Sequence, residues 1–306
     1  MLENKQLAKG FICIGIVAIV AAIVVSVVYR KSYSTDVPPA LDEAVTHSFF
    51  TRMNVSRSDI TVNGKKYYYS AVGQTANIEN DSYYMSECVC EWHRILGYSN
   101  KKDQTEAYTL CGMSGYGFRN GKFVNNCGYT VPTLIVFDRD KDGNYIFKEA
   151  KEAKDGSEYS ESIRKMFPKD LAYIAINAPS NDELMSSLDE YSGACAEAYL
   201  TGIGRSGTLG EISDEDEAML HGFGVADAVE AKLYKLHPEY GEYIGNFEKT
   251  EDGVRYVYSV KWDGDDEGNG TVTYTKKNYD TGKTVKKYAY KIEQGKKFTE
   301  IKSKKK

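Results

Sequence analysis

Histidine is scarce in this chain of 306 residues, and its few copies form no familiar zinc-binding pattern. The four histidines are His47, His93, His221 and His237, and none of them opens a His-Glu-x-x-His segment. This absence excludes the zinc-hydrolase helix, in which two histidines on one face bind the metal. An excess of positive charge is missing as well, because the net charge is -5 and the isoelectric point is near 5.6. The charge argues against nucleic acid as a partner.

Long apolar runs are also missing, with one exception near the N-terminus. Residues 10–29 carry no charge and consist mainly of Ile, Val and Ala, although the mean hydropathy of the chain is -0.49. A helix of this length is about 30 Å long, which matches the hydrocarbon core of a bilayer. A cleavable signal peptide has a shorter apolar core and a small-residue cleavage site, whereas this run ends in Tyr29-Arg30-Lys31. The run therefore predicts an uncleaved transmembrane anchor.

The charges on either side of the run orient it only weakly. Lys5 and Lys9 precede it, and Arg30 and Lys31 follow it, so the positive charges are nearly balanced. A short tail before a long polar portion favours a cytoplasmic tail, residues 1–9, and an extracytoplasmic bulk. We therefore expect a single-pass protein of the cell membrane, with residues 30–38 as a linker.

The rest of the chain predicts an α+β fold in three successive parts. Residues 39–170 begin with helical apolar spacing and continue as β-type runs between Asn-Gly and Asp-Gly pairs, which predicts a helix packed on an antiparallel sheet. Residues 180–237 form a predicted helical segment, because apolar residues recur at helical spacing after the N-cap residue Asn181. Residues 238–303 alternate β-type runs with polar turns and predict an antiparallel β-meander.

One acidic stretch fits the ligand pattern of a calcium loop. Asp138-x-Asp140-x-Asp142-Gly143 is followed by Glu149 at the twelfth position, which is the spacing of an EF-hand. The flanking segments predict strands rather than helices, and an acidic hairpin tip needs the same residue types for its turn. Calcium binding by these four carboxylates and a plain turn both remain open. Calcium is the one cofactor that the sequence suggests.

Five cysteines follow the predicted anchor: Cys88, Cys90, Cys111, Cys127 and Cys195. An extracytoplasmic location permits disulfides, and Cys111 with Cys127 on neighbouring strands is the first candidate pair. The odd number leaves at least one thiol free. Cys88-x-Cys90-x-x-His93 is an alternative metal cluster, but His93 lies on the opposite face of an extended strand, so binding would require a bulge.

Two further motifs match catalytic or nucleotide-binding patterns without their structural context. Gly202-x-Gly204-x-x-Gly207 satisfies the dinucleotide fingerprint, but it follows a predicted helix instead of a strand and reads as a helix C-cap and loop. Ser162-x-x-Lys165 matches the nucleophile pair of penicillin-recognising enzymes, but their Lys-Thr-Gly and Ser-Asp-Asn motifs are missing. Both motifs are therefore interpreted as ordinary helix and loop residues.

Several short stretches between residues 82 and 300 are similar to one family: EWHRILG at 91–97, YTL at 108–110, YGF at 116–118, DGS at 155–157, MFP at 166–168, YLxxIGR at 199–205, YIG at 243–245 and GVRY at 253–256. Together they resemble the extracytoplasmic C-terminal portions of β-lactam sensor-transducer-like membrane metallopeptidases of Gram-positive bacteria. In that family proteolysis belongs to a separate zinc membrane domain, which this sequence does not contain, so the resemblance carries no catalytic residue over. It implies a sensing or accessory ectodomain of the bacterial envelope.

The sequence leaves three functional hypotheses. The first is a membrane-anchored extracytoplasmic protein without its own catalytic centre, whose 25 tyrosines suit contact with a protein, peptide or glycan at the cell surface. The second is an envelope hydrolase or acyl-transfer enzyme that uses Glu91, His93 and Ser162, which would require these groups to converge on a cleft. The third is a calcium-stabilised surface binding module.

Overall fold

The computed structural model describes residues 33–71, 86–205, 209–213 and 218–301. In these ranges the chain is an α+β protein with five α-helices and one large antiparallel sheet that ends in the C-terminal strands, as predicted. No helix in the described ranges has the length and apolar character needed to cross a bilayer. The predicted anchor, residues 10–29, lies outside the described residues, as does the predicted tail of residues 1–9.

The elements in chain order are α1 (Pro39–Arg52), β1 (Ser58–Val62), β2 (Lys65–Ala71), β3 (Cys88–Lys101), β4 (Gln104–Arg119), β5 (Lys122–Arg139), β6 (Tyr145–Glu152), α2 (Tyr159–Met166), α3 (Lys169–Asn177), α4 (Asp182–Gly202), β7 (Leu209–Gly210), α5 (Asp227–Leu236), β8 (Gly245–Glu251), β9 (Val254–Gly264), β10 (Gly270–Asn278), β11 (Thr284–Glu293) and β12 (Lys297–Glu300). The strands run in the order β1-β2-β3-β4-β8-β9-β10-β11-β12, and β5 pairs with β4, β6 and β7. All pairings are antiparallel except the short one between β5 and β7.

The N-terminal unit, described residues 33–213, is built around strand β4. This strand pairs along nearly its whole length with β3 on one side and β5 on the other, and most of its side chains are buried. Helix α1 covers one face of the sheet, where Leu41 and Val45 contact Ile135 and Phe137. The first helical position of α1 is a proline. The missing N–H of proline costs no hydrogen bond there, because the N–H groups of a first helical turn have no acceptor within the helix. The predicted helix on an antiparallel sheet is therefore confirmed.

Helices α2, α3 and α4 cover the other face of the same sheet. Their apolar side chains surround Trp92 and Tyr108 and include Ile163, Leu171 and Leu188. Asn181 caps α4 as predicted, because its side chain accepts a hydrogen bond from the backbone N–H of Leu184. The cap and the helical spacing of the apolar residues together set the start and the buried face of α4.

The predicted helical segment of residues 180–237 is not one structural part. Helix α4 packs on the N-terminal unit, while α5 packs on the strands that follow it. Periodicity identified the helices but could not show which sheet each one covers, since that depends on contacts between distant parts of the chain.

The C-terminal unit, residues 218–301, is the predicted β-meander with α5 packed on it. Its core is rich in aromatic rings. His237 is buried among tyrosines, and its Nε2 lies 2.7 Å from the hydroxyl of Tyr290. The sheet continues from one unit to the other through a single ladder pair, Arg119 with Phe247. Asn120 adds two hydrogen bonds of 2.8 Å with Asn246 at the same place.

Candidate functional site

A cavity of about 460 Å³ opens where strand β2 separates from β3. β2 pairs with β3 through only three residue pairs, the last of which is Tyr69 with Cys90. Along the edge of β3 that faces away from β4, residues 91–97 have no partner strand in the described part of the chain. Side chains from α1, β2, β3 and α4 line the opening: Asp42, Thr46, Lys66, Tyr68, Glu91, Trp92, His93, Arg94, Ser187, Leu188 and Tyr191.

The centre of this cavity is a histidine held between two carboxylates. Glu91 and His93 are two residues apart on β3, so their side chains point to the same face of the sheet. The Nδ1 atom of His93 lies 2.8 Å from Oε1 of Glu91, and its Nε2 atom lies 3.1 Å from Oδ1 of Asp42. Asp42 comes from the first turn of α1. The side chain of Glu91 is only 2% exposed and that of His93 only 8%.

Both carboxylates favour the charged form of His93. Burial alone would lower the pKa of its imidazole, but Glu91 and Asp42 outweigh burial and raise this pKa from 6.5 to about 10. The hydrogen bond with His93 in turn lowers the pKa of Asp42. At neutral pH the ring is therefore an imidazolium that donates a hydrogen bond from each nitrogen.

The rim of the cavity carries a cation and two aromatic rings. Arg94 is exposed and has no hydrogen-bond or ion-pair partner among the described residues. Tyr68 donates its hydroxyl proton to Glu43 and lies beneath the ammonium of Lys66, whose Nζ is 5.0 Å from the ring centre. Tyr191 of α4 closes the other side, where burial raises the pKa of its hydroxyl. The rim thus offers one available positive charge between amphipathic rings.

The four candidate calcium ligands are not brought together. Asp138 contacts the Lys148 ammonium at 3.1 Å, and Glu149 contacts another lysine, Lys151, at the same distance. Asp140 is engaged in its own turn, since its carboxylate accepts hydrogen bonds from the backbone N–H of Asp142 and from Asn144. The segment is a hairpin between β5 and β6, as the flanking strand patterns indicated.

We expect calcium to leave the thermal midpoint of the chain unchanged. Asp138 and Glu149 are paired with lysines and Asp140 accepts hydrogen bonds from its own turn, so a bound ion would have to displace these partners. The measurement is a thermal melt of the full chain in detergent with calcium and with a chelator. A calcium-dependent rise in the midpoint that disappears in Asp142→Asn would contradict this expectation.

The candidate disulfide between Cys111 and Cys127 is not formed, and both residues are free cysteines. The two lie on neighbouring strands as expected, but Cys111 pairs with Val131 and Cys127 pairs with Gly115. This offset of four residues corresponds to about 13 Å along the strands. A disulfide needs Cα atoms within about 7 Å of each other. The sequence located the strands but not their register.

The cluster Cys88-x-Cys90-x-x-His93 does not form a metal site either. His93 faces α1, whereas Cys88 and Cys90 face α4 and lie in a buried cluster with Cys195. Burial raises the pKa of the Cys90 thiol, which contacts the thiols of Cys88 and Cys195. These three cysteines are therefore part of the apolar core.

Among the described residues, a group with possible metal ligands that the sequence did not predict lies in the C-terminal unit. His221, Asp227 and Glu230 place one ligand atom each within 4.8 Å of one another. Glu230 is already engaged, because its Oε1 accepts a hydrogen bond of 2.7 Å from the backbone of Leu220 and its Oε2 lies 2.8 Å from His221. The group can hold a cation in principle, but its existing bonds also account for its geometry. His221 lies in a short 3-10 turn, whereas Asp227 and Glu230 lie in α5. The spacing of the three residues in the sequence does not show that their side chains meet.

Ser162 and Lys165 do not form a nucleophile pair. The Ser162 hydroxyl donates to the backbone of Tyr159 at 2.8 Å, and the Lys165 ammonium lies 2.6 Å from Glu161. Ser162 is not among the residues that line the cavity of His93. The three residues of the hydrolase hypothesis therefore do not converge. Gly202 is the last residue of α4, Ile203 is its C-cap, and Gly204 follows with a positive φ, so the first two glycines of the motif lie at a helix end and the start of a loop.

A second charged cluster lies between the two units. Arg255 of β9 contacts Glu248 at 3.0 Å and Glu87 at 3.3 Å, and Arg205 contacts Glu248 at 2.5 Å. Tyr199 of α4 donates its hydroxyl to Glu87 at 3.2 Å. Burial raises the pKa of Glu87, and the nearby guanidinium of Arg255 opposes this rise. We call these residues the joint cluster, since they connect α4 and the start of β3 to the C-terminal meander.

No family model, curated protein or solved structure matches this chain. Its activity must therefore be inferred from its own side chains. The cavity of His93 combines a partly open volume, a fixed arrangement of charges and a strand edge without a partner strand in the described part of the chain.

Proposed function

We propose that the chain is a membrane-anchored extracytoplasmic binding protein, and that the cavity between β2 and β3 accepts its ligand. One observation carries this proposal: His93 is held by Glu91 and Asp42 inside a cavity, so both of its ring nitrogens are occupied and its charge is fixed in place. Such a site is suited to recognition, because its polar groups are already oriented before a ligand arrives.

The same observation disfavours the hydrolase hypothesis. A general base needs an unprotonated nitrogen within reach of the proton it removes. With its pKa raised to about 10 and both nitrogens donating to carboxylates, His93 is charged at neutral pH. Its place is structural and electrostatic: it neutralises the buried Glu91 and ties α1 to β3.

The rim residues indicate which chemistry a ligand needs. The guanidinium of Arg94 is suited to a carboxylate, which it can bind through two parallel hydrogen bonds. The rings of Tyr68 and Tyr191 are suited to the apolar face of a sugar or to a peptide side chain. The open edge of β3 offers backbone groups to an extended ligand. We therefore propose a peptide or glycan that carries a free carboxylate.

The anchor gives this binding site its location. The apolar run of residues 10–29 is long enough to span a bilayer, and the short tail before a long polar portion favours an extracytoplasmic location for that portion. The resemblance to the ectodomains of sensor-transducer-like proteins supports the same role, because it implies sensing without catalysis. Digestion of intact cells with a protease tests the orientation, and full protection of the polar portion would contradict it.

The ligand chemistry is tested with two sugars that differ in one carboxylate. We expect N-acetylmuramic acid to perturb the cavity residues in NMR spectra of the full chain in nanodiscs, and N-acetylglucosamine to leave them unchanged. Arg94→Gln should weaken binding by about tenfold or more, because it removes a charged hydrogen bond. Arg139→Gln, which changes an exposed arginine outside the cavity, is the matched control. Equal binding of both sugars, binding of neither, or no effect of Arg94→Gln would contradict the proposed ligand class.

A further inference from the structure

Helix α3 exposes large apolar side chains on its outer face. Tyr173 is 72% exposed and Ile174 is 45% exposed, while Leu171 and Ala175 on the opposite face are buried in the core. Tyr173 and Ile174 follow Asp170 by three and four residues, so the three lie on one stripe of the helix. Single apolar side chains are often exposed on protein surfaces, so the role of these two residues depends on what surrounds them.

The start of the described chain is fixed beside this stripe. Ser34 and Tyr98 exchange two backbone hydrogen bonds, of 2.7 and 2.8 Å, which attach the chain to the edge of β3. Tyr33 is 9% exposed, and its hydroxyl contacts the carboxylate of Asp170. Gly97 makes room for this packing, because a Cβ there would lie 2.7 Å from the Tyr33 ring. Tyr33 therefore connects the beginning of the fold directly to the exposed stripe of α3.

The covalent chain limits how far α3 can be from a membrane. The predicted anchor ends at residue 29, and four peptide links join that position to Tyr33. Four links span at most about 14 Å even when fully extended. If residues 10–29 cross the bilayer, Tyr33 must lie within this distance of the point where the anchor leaves it. Because Tyr33 contacts α3, the stripe lies close to the lipid headgroups.

The surroundings of the stripe match an anionic bilayer surface. A cavity of about 600 Å³ beside Tyr173 is lined by Arg164, Lys169, Phe167 and Ile176 among others. Arg164 and Lys169 supply positive charge, and the apolar walls supply contact for hydrocarbon. The neighbouring acids are engaged, Glu161 by Lys165 at 2.6 Å and Asp170 by Tyr33. Tyrosine itself is enriched where protein meets the membrane interface.

We propose that α3 rests in the interfacial layer of the bilayer, with Tyr173 and Ile174 inserted and with Arg164 and Lys169 on lipid phosphates. This inference depends on the proposed membrane anchor. It goes beyond anchoring, since it fixes the side of the ectodomain that faces the lipid. The N-terminal unit is then docked on the bilayer through α3 instead of moving freely on a tether.

Tryptophan quenching by brominated lipids tests this arrangement in the full chain. Tyr173→Trp places a fluorophore on the stripe, and Val285→Trp places one at a similarly exposed apolar position on β11. Both variants are reconstituted in nanodiscs of anionic lipids with brominated acyl chains, and the signal of the unmodified chain is subtracted. We expect loss of emission and a blue shift for Tyr173→Trp, and no loss for Val285→Trp. The loss should diminish when Arg164→Gln and Lys169→Gln are added.

The outcomes separate this inference from the anchor itself. Flotation of the unmodified chain with liposomes tests the anchor, and a chain that does not float contradicts the anchor and the docking of α3 together. A chain that floats while Tyr173→Trp is not quenched overturns the docking alone. A blue shift that appears in detergent together with a dimer in light scattering assigns the stripe to a second copy and also overturns it.

Discussion

Replacing His93 with leucine is expected to lower the free energy of unfolding by about 3–5 kcal/mol, the usual cost of removing one partner from a buried ion pair. Glu91 would remain only 2% exposed and would lose its hydrogen bond of 2.8 Å. Asp42 would lose its link to β3, so the contact between α1 and the sheet would also weaken. Urea denaturation of the full chain in detergent, followed through its midpoint, measures this loss.

A double variant distinguishes the unpaired charge from lost packing. His93→Leu combined with Glu91→Gln removes the isolated carboxylate, and we expect it to recover most of the stability that His93→Leu loses. If the single and double variants are equally unstable, the loss comes from packing and the electrostatic explanation is wrong. His93→Leu with unchanged stability would contradict the arrangement of the three residues.

The same group predicts how stability depends on pH. The pKa of His93 is about 10 in the folded chain and 6.5 in its ordinary state, so the folded state binds the proton more tightly. The contribution of His93 is therefore complete below pH 6.5 and is lost as the pH rises through 10. His93→Leu should show a smaller decline over this interval than the unmodified chain.

Replacing Arg255 with methionine is expected to cost about 3 kcal/mol, because it leaves two carboxylates of the joint cluster without their shared cation. The Glu87 side chain is 3% exposed and that of Glu248 is 10% exposed, so water can solvate neither well. Glu248 keeps Arg205 at 2.5 Å, whereas Glu87 keeps only weaker hydroxyl donors. Glu87 should therefore take up a proton at a higher pH in this variant.

The two native tryptophans report which unit is affected. Trp92 lies on β3 in the N-terminal unit and Trp262 lies on β9 in the C-terminal unit. In Trp92→Phe and Trp262→Phe backgrounds, the remaining fluorophore follows one unit during urea denaturation. We expect Arg255→Met to separate the two transitions, since it removes contacts between the units.

A matched substitution controls for the loss of an arginine on an aromatic ring. Arg139 lies 4.1 Å above the Tyr145 ring but is exposed, and Arg139→Met should change stability by less than about 1 kcal/mol. Equal effects of Arg139→Met and Arg255→Met, or coincident transitions of both tryptophans in Arg255→Met, would show that the joint cluster does not couple the units.

Local signals in the sequence predicted much of the fold. The pairs Asn63-Gly64 and Asn120-Gly121 form tight hairpin turns in which both residues have positive φ, a conformation that Asn and Gly tolerate well. Alternating β-type runs and polar turns predicted the antiparallel β-meander within residues 238–303, and the last strands of the sheet lie there. Helix α3 was missed, because nine residues directly after Pro168 give little periodicity to detect.

The candidate site could be predicted only in part. Glu91 and His93 are neighbours on one strand, so the sequence could group them. Asp42 is 51 residues away from His93, and the contact depends on how α1 crosses the sheet. The cavity exists because β2 leaves β3 after three pairs, a feature of register that composition does not encode. The calcium-loop pattern was likewise a match of residue types over twelve positions. The lysines that pair with Asp138 and Glu149, and the backbone groups that bind Asp140, could be identified only from the structure.

The narrow connection between the units also determines how the protein responds to mechanical force. The central strands of each unit are joined by long ladders, such as β3 with β4 and β8 with β9, whereas β4 and β8 share only Arg119 with Phe247. Tension applied between the N-terminal and C-terminal units is therefore concentrated on this pair, the two bonds of Asn120 and the joint cluster. Under load the units should part there first, while each sheet keeps its strands and can rejoin when the tension is released.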